Sequence, residues 1–502
     1  MNVSLEFVLK EQKELSTYGG IGALLGWDQM TYMPKQGAQE RAEQTALISK
    51  LAHEKVIADP FYNAVTKLAK KSVVSTLEEP YQHVVIRLKK DLEKARKVPS
   101  RYVEKSARIT TMAYQAWEQA REHNQYAHFA PHLSKILELE QEYISFFDIP
   151  GPPYNTLLDD YEEGMTVEVL QKEFITLKKE LKALVEQITS SRTYEQQKPL
   201  QFTMDKLQQQ HFCQILIETM GLPKNRTRLD VSTHPFTTSM GNDDVRITTN
   251  FDRPNPLFSV FSTIHEAGHA LYELGLPKDV YKDTVIGDSP SLGIHESQSR
   301  FWENMIARRH TFWQYFYPLM QQHTNHSLQA KSLETWYQGI NQVQPSLIRV
   351  EADELTYCLH VILRFELEQQ MINQEITVNE LPEKWNEYMD EYLGVTPKDD
   401  VTGVLQDMHW SGGSIGYFPT YAIGSIYASQ LYHQLTKKRD DVETLIQQGQ
   451  FQPIVDWLHT HIHQYGRLYT ADALIKKTCG EGLNAQHFLH YLKEKYLPLY
   501  EA

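Results

Sequence analysis

The run Ser262-Thr263-Ile264-His265-Glu266-Ala267-Gly268-His269-Ala270 reads H-E-x-x-H, and its spacing dictates a chemistry. On an α-helix, residues four apart are rotated by only about 40°, so both imidazoles leave one face a turn apart, within reach of one tetrahedral metal ion. Glu266 stands about 100° round from His265, beside such an ion rather than on it, placed to take a proton from its water. A third ligand is required. Glu296 supplies it from a second helix, expected from Gly293 to about Gln322, and leaves the fourth position to water. Glu273 is a rival, but it lies eight residues past His265 on the same helix, about 12 Å along the axis and too far to share one ion with both histidines. Glu303 is a weaker rival that could instead hold a ligand from outside.

Further groups carry polar chemistry. Arg349 and Asp353 are four apart in a helical run expected to extend to Gln370. Alone they would make a surface ion pair worth a few tenths of a kcal/mol; in a peptidase the arginine could clamp a substrate carboxylate through two parallel hydrogen bonds. The stretch from Gly403 to Tyr421 combines four glycines with His409, Tyr417 and Tyr421, and reads as a mobile segment delivering polar tips to a substrate. His459-Thr460-His461-Ile462-His463 is a decoy. Alternate residues converge on a strand face, whereas its surroundings read as helix, where they point about 200° apart.

The elements that must position these residues are mostly helical. Val260, Ile264, Ala267, Leu271 and Leu274 form an apolar stripe opposite the two histidines, so the back of the metal helix packs and its front binds. Gly268 costs roughly 1 kcal/mol relative to Ala, which makes sense where another segment approaches the backbone. Upstream, Glu40–His53, Tyr81–Lys97, Arg101–Asn124 and Val167–Ile188 read as helices, broken at Pro60, Pro99 and Gly151-Pro152-Pro153 without a Gly/Ser-rich linker. Trp27-Asp28-Gln29-Met30 reads as core beneath the N-terminal helices. Just before the metal helix, the β-branched runs Asp230–Phe236 and Asp244–Thr249, parted by Gly241-Asn242-Asp243, read as a small β-hairpin whose free edge could pair with extended peptide. The fold class is mainly α, with a small sheet beside the metal helix.

With 50 basic and 64 acidic residues among 502, the formal charge is −14, and no basic stripe is present to bind nucleic acid or an anionic membrane. No apolar run approaches the roughly 18 residues of a membrane span, and Met1 to Lys13 lacks a signal-peptide core. A cytoplasmic enzyme is the expectation. Cys213, Cys358 and Cys479, isolated and without C-x-x-C spacing, read as structural thiols in a reducing compartment.

Taken together, His265-Glu266-x-x-His269, His295-Glu296-Ser297-Gln298, Ile348-Arg349-x-x-Ala352-Asp353, Asp244-x-Arg246-x-Thr248 and Gly403-x-x-Gln406-Asp407-x-His409-Trp410 resemble the signatures of the M32 carboxypeptidases, the carboxypeptidase Taq family. The likeness runs from the Trp27 region to near the C-terminus. It implies one catalytic unit over residues 1–502, with two helical halves flanking a deep active-site groove, in a saddle-like homodimer similar to neurolysin-like and angiotensin-converting-enzyme-like zinc peptidases. By the same resemblance His265, His269 and Glu296 hold one divalent ion per subunit, zinc or alternatively cobalt, and Glu266 is the general base and acid. Arg349 would bind the substrate's C-terminal end, with Arg246, flanked by Asp244 and Thr248 of its motif, as a second anchor. His409, Tyr417 or Tyr421 would donate to the developing oxyanion, and His234 is a further substrate-side candidate. The expected activity is hydrolysis of single C-terminal amino acids from peptides with a free C-terminus, with broad specificity. A related zinc oligopeptidase or dipeptidyl carboxypeptidase would differ in where the groove is blocked, and an inactive helical scaffold would need a fourth protein ligand.

Overall fold

The computed structural model describes residues 3–324 and 327–501. Met1 and Asn2, which head the segment read as lacking a signal-peptide core, lie outside the described residues.

The first long helices of the chain are α1 (Val3–Thr31), α2 (Ala38–Ile57), α3 (Asp59–Leu68) and α4 (Glu79–Lys97). Pro60 and Pro80 sit in the first turns of α3 and α4, where a missing N–H costs nothing and the fixed φ suits a helix. Leu5 and Val8 of α1, Phe61 and Val65 of α3, and Leu88 and Leu92 of α4 bury a core separate from the main one. Its attachment to the rest includes several ion pairs: Arg87 and Lys90 pair with Glu163, Lys94 with Asp159 and Asp160, and Arg467 with Asp91. α5 (Ser100–His123) and α6 (Val167–Thr189) enter the main core, with Leu170, Phe174, Leu177, Leu181, Leu184 and Ile188 buried at helical spacing along α6. The helices read in this half of the sequence are all present. Trp27 is buried as expected, but against a sheet.

That sheet is β1 (Thr227–Val231), β2 (Thr237–Gly241) and β3 (Asp244–Thr249), in the order β1-β3-β2. The expected hairpin exists, but between β2 and β3; the run Asp230–Phe236 is not its other strand, because the chain leaves β1 at Val231 and crosses the end of β3. β1 therefore pairs with β3 in parallel. Thr248 fastens the crossing, its hydroxyl 2.6 Å from Ser232 Oγ and accepting from the Phe236 N–H at 3.0 Å. The register sets Arg228 opposite Arg246, a like-charge pair that would repel on a bare sheet. Asp230 and Asp244 neutralise them through bidentate contacts of 2.6 to 2.8 Å, and both guanidiniums lie against the Trp27 ring, at 5.1 and 4.3 Å. The end of α1 is thereby pinned to the sheet.

The metal helix, α7 (Pro256–Gly275), buries the predicted stripe of Val260, Ile264, Ala267, Leu271 and Leu274. The next helix, α8 (Leu292–Arg300), crosses it at Gly268, where a Cβ would meet Gln298 O at 2.7 Å and Ser299 Cα at 2.8 Å. This is the close approach that a helix-weakening glycine allows. α8 does not run on to Gln322. Phe301–Ile306 is a π turn closed by the Ala307 N–H on Trp302 O at 2.9 Å, and α9 (His310–His323) starts after a break. The residue added by such a turn changes the face on which the following side chains emerge.

After α10 (Leu333–Ile340) the expected helix from Ile348 to Gln370 is also interrupted: Arg349–Glu351 is a 3-10 turn, and α11 begins later (Tyr357–Ile372). Asp353 accepts from the backbone N–H groups of Gln344, Leu355 and Thr356, so it is not Arg349's partner. α12 (Pro419–Lys438), α13 (Gln452–His461) and α14 (Gln486–Tyr500) follow. Gly424 of α12 abuts α8 from another side; a Cβ there would meet Glu296 Cγ at 2.6 Å and Cβ at 2.7 Å. Among the described residues no helix is long and apolar enough to cross a membrane.

Glu162 is buried and accepts from the Gly293 N–H at the start of α8. Burial pushes its carboxyl from the ordinary 4.5 up to about 8. Because the folded value is the raised one, the stability this group contributes is complete below pH 4.5 and is lost as pH climbs through about 8. Glu162→Gln keeps the acceptor without the ionisation. Its melting temperature should match the parent's near pH 4.5 and exceed it increasingly toward pH 8, whereas parallel pH profiles would count against a buried neutral carboxyl.

Candidate metal centre

His265 and His269 bring Nε2 to 3.7 and 3.5 Å from Glu296 Oε2, and the ligand atoms of the trio lie within 4.8 Å of one another. Donors that encircle one ion at bonds of about 2 Å need this spacing. Among the described residues no other His, Cys, Asp or Glu trio meets it. The decoy histidines serve otherwise: His459 is exposed, His461 Nδ1 bonds the Trp457 carbonyl, and His463 Nε2 meets Gln298 Oε1 at 2.9 Å.

The outward ring nitrogens decide whether the trio suits a cation. His265 Nδ1 lies 2.8 Å from Glu303 Oε2, so its proton belongs there and Nε2 keeps a lone pair for the site. His269 Nδ1 lies 2.6 Å from His295 Nδ1, and His295 Nε2 lies 2.8 Å from Glu273 Oε1. A carboxylate at the end of that chain fixes the proton order: His295 donates to Glu273, His269 donates to His295, and His269 Nε2 is again free. Both rivals for the third ligand thus stand one layer out. Burial pushes His269 down to about 3, which keeps its ring neutral. Glu296 Oε1 accepts from Arg300 Nε at 2.7 Å. Burial opposes its ionisation, but Arg300, His265 and His269 hold the carboxyl well below the usual range. Two imidazoles that turn Nε2 toward one carboxylate are a donor set that fits a zinc-type divalent ion.

Glu266 is 7 % exposed and points its Oε2 at Thr237 of β2, accepting from that hydroxyl at 2.6 Å. The β2–β3 register explains the partner, since Thr237 sits opposite buried Ile247 on the face covered by the metal helix. Burial raises the Glu266 carboxyl above its ordinary value, with His265 and Thr237 pulling the other way. A carboxylate so held is a stronger proton acceptor than one in water.

A second cluster forms around Arg349, which is 5 % exposed. Its Nη2 and Nε donate to Asp407 Oδ1 at 2.7 and 3.1 Å, its Nη1 to the Tyr357 hydroxyl at 3.0 Å, and its backbone N–H to Gln406 Oε1 at 2.9 Å. Arg364, fully buried, takes Asp407 Oδ2 at 2.7 Å. Tyr421 and His409 close the cluster: His409 Nε2 lies 3.3 Å from the Tyr421 hydroxyl, the Arg349 guanidinium 4.9 Å from the Tyr421 ring, and Tyr417 5.3 Å from Tyr421. Burial pushes His409 down to about 4, with Asp407 opposing.

The segment from Gly403 to Tyr421 is pinned rather than loose. Glu368 of α11 accepts from Trp410 Nε1 at 2.7 Å, the Tyr154 hydroxyl at 2.6 Å and the Gly416 N–H at 3.1 Å, and Ile415 and Phe418 are buried. Such buried bonds oppose local opening.

The sheet residues stand apart. Asp244 and Arg246 occupy one another and Trp27, Thr248 holds the strand crossing, and His234 is exposed, its carbonyl accepting from Ser232. None of these four hydrogen-bonds or ion-pairs with His265, His269, Glu296 or Arg349. Thr237, Arg300 and Arg364 were missed from sequence. Arg300 had a signal, being four residues after Glu296 on one helix face; Arg364 and Thr237 had none.

If Glu303 and Glu273 orient the histidines, Glu303→Gln and Glu273→Gln should each weaken zinc binding by about 10–100-fold in a chelator-competition titration. His461→Ala should leave it unchanged. Equal affinities in all three would remove both carboxylates from the site.

Comparison with known proteins agrees with this geometry. Residues 7–496 match the family model of the carboxypeptidase Taq (M32) metallopeptidases. The chain is 38 % identical over 500 residues to thermostable carboxypeptidase 1 of Pyrococcus furiosus, covering 99 % of each, and 37 % identical over 505 residues to the Thermus thermophilus protein of that name, covering 98 % of each. The crystal structure of the M32 carboxypeptidase from Deinococcus radiodurans R1 superposes with a TM-score of 0.96 at 33 % identity, over 100 % of both chains. With His265, His269 and Glu296 at metal-ligand spacing inside a fold shared over its whole length, the chain belongs to the carboxypeptidase Taq (M32) family of metallopeptidases.

Proposed function

We propose that this chain removes single C-terminal amino acids from peptides with a free C-terminus, with one zinc ion held by His265, His269 and Glu296. The observation that carries the reading is the charge imbalance at Asp407, where one buried carboxylate faces the two guanidiniums of Arg349 and Arg364. One positive charge is left over, and a buried surplus charge is costly until an anion arrives. His409 and the tyrosines beside it are neutral, so a substrate's terminal carboxylate is the natural complement. Recognition through that carboxylate, rather than a side chain, gives broad specificity.

When bound, the divalent ion supplies Lewis acidity, lowering the pKa of a water and polarising the scissile carbonyl; cobalt offers the same donor preferences. Glu266 takes the proton from water and returns it to the leaving amine, its buried carboxyl tuned upward for both steps. His409, Tyr417 and Tyr421 offer neutral N–H and O–H donors to the carbonyl oxygen as charge develops. Thr237–Gly241 is an edge strand lining a cavity of about 540 Å³ between α1, β2 and the end of α7, where an extended peptide can pair with free strand groups. Arg246, Asp244 and Thr248 serve that path indirectly, by holding α1 and the sheet together, and His234 stands at its exposed margin.

Mass spectrometry of one unblocked peptide incubated with zinc-loaded protein tests this. The expected products form a ladder losing one C-terminal residue at a time, absent with Glu266→Gln and absent when the C-terminus is amidated. Arg349→Met should lower kcat/KM on free-acid peptides by on the order of 10²-fold or more, the worth of two hydrogen bonds to a charge. Dipeptide steps or internal cuts would instead indicate the oligopeptidase type of activity.

A further inference from the structure

A cavity of about 490 Å³ opens between the start of α9, α10 and the last helix, α14, and shares no lining residue with the metal centre. Tyr491, Glu494, Lys495 and Pro498 form one of its walls, recurring at the spacing of one helix face. Its floor contains a charge that is expensive to bury: the Lys495 side chain is 6 % exposed and donates to fully buried Glu354 at 2.6 Å and to the Tyr491 hydroxyl at 3.2 Å. Facing it, Arg309 gives Nε to the Met305 carbonyl at 2.8 Å and Nη1 to Glu443 at 2.7 Å, and among the described residues Nη2 has no partner. The lining carries both signs, Arg309, Lys495 and His310 with Glu443, Glu494 and Glu501, and includes the rings of Tyr337 and Tyr491; the Glu494 side chain is exposed and lies 3.1 Å from His490 Nε2.

This composition excludes most occupants. A phosphate-like anion would meet three carboxylates, a simple cation would meet two basic groups, and an apolar ligand would strand charged atoms. A small molecule bearing both charges a few bonds apart satisfies the lining, and the volume is ample for one. We propose that this cavity binds a free zwitterionic amino acid, its carboxylate on Arg309 and Lys495 and its ammonium on Glu494. The inference rests on the peptide-hydrolase reading only in making that occupant a product of the enzyme; a cleavage ladder without binding at the cavity, or the reverse, separates the two.

Calorimetric titration of the zinc-loaded protein with L-alanine, acetate and ethylamine reads it directly. L-Alanine should bind at this site in the parent and in Arg349→Met alike, with acetate and ethylamine each at least about tenfold weaker for want of one charge-assisted contact. Lys495→Met leaves Glu354 without its cation and could fail to fold, so the decisive variant is Gln338→Trp, which fills the exposed rim. It should abolish that binding while leaving peptide cleavage intact. No L-alanine binding in Arg349→Met, or binding unchanged in Gln338→Trp, would overturn the proposal.

Discussion

The site depends on how closely three helices can approach. Glu296 must reach two histidines on another helix, and its own helix is met by backbone at Gly268 and by Gly424, with no room for a Cβ at either. Two glycines inside helices cost roughly 1 kcal/mol each against alanine. What they permit is rigid placement of a charged ligand between packed helices, where a longer spacing would leave the carboxylate short of the imidazoles. The apolar stripe of α7 and the buried run Glu296–Ser299 of α8 follow from the same need.

Burying so many charges is tolerable because they are arranged in alternating order. Glu303 meets His265, and Glu296 meets Arg300, whose guanidinium lies 4.3 Å from the Tyr357 ring. The Tyr357 hydroxyl accepts from Arg349, and Arg349 shares Asp407 with Arg364. Glu296 and the Arg349–Asp407 cluster, the proposed metal ligand and the proposed carboxylate receptor, are thus joined through one tyrosine. Desolvation would make any member costly alone. Together they hold Glu296 ionised and His409 neutral, the states that metal binding and hydrogen-bond donation require.

Local pattern made half of this legible. The metal residues, the packed face of α7 and the close approach at Gly268 could be read because each is a matter of spacing within one helix, and Glu296 because few other carboxylates were in range. The strand order, the interrupted helices and the true partner of Arg349 could not. Asp407 is 58 residues from Arg349, and nothing local distinguishes it from Asp353, which has helical spacing but holds the turn that leads into α11 instead. The Gly-rich segment misled for a related reason: glycines signal freedom in sequence, yet Glu368, far upstream, anchors that segment through Trp410 and Gly416. The H-E-x-x-H motif marks where an ion could be held; what surrounds it is set by contacts between residues remote along the chain.

Zinc affinity of Gly424→Ala, measured beside its circular dichroism spectrum, tests the helix-spacing constraint most directly. A methyl group at that position must displace Glu296, so zinc should bind at least about tenfold more weakly while helical content is preserved. Parent-like affinity in a folded Gly424→Ala protein would show that Glu296 reaches the histidines without the close approach of the helices, and would contradict the constraint.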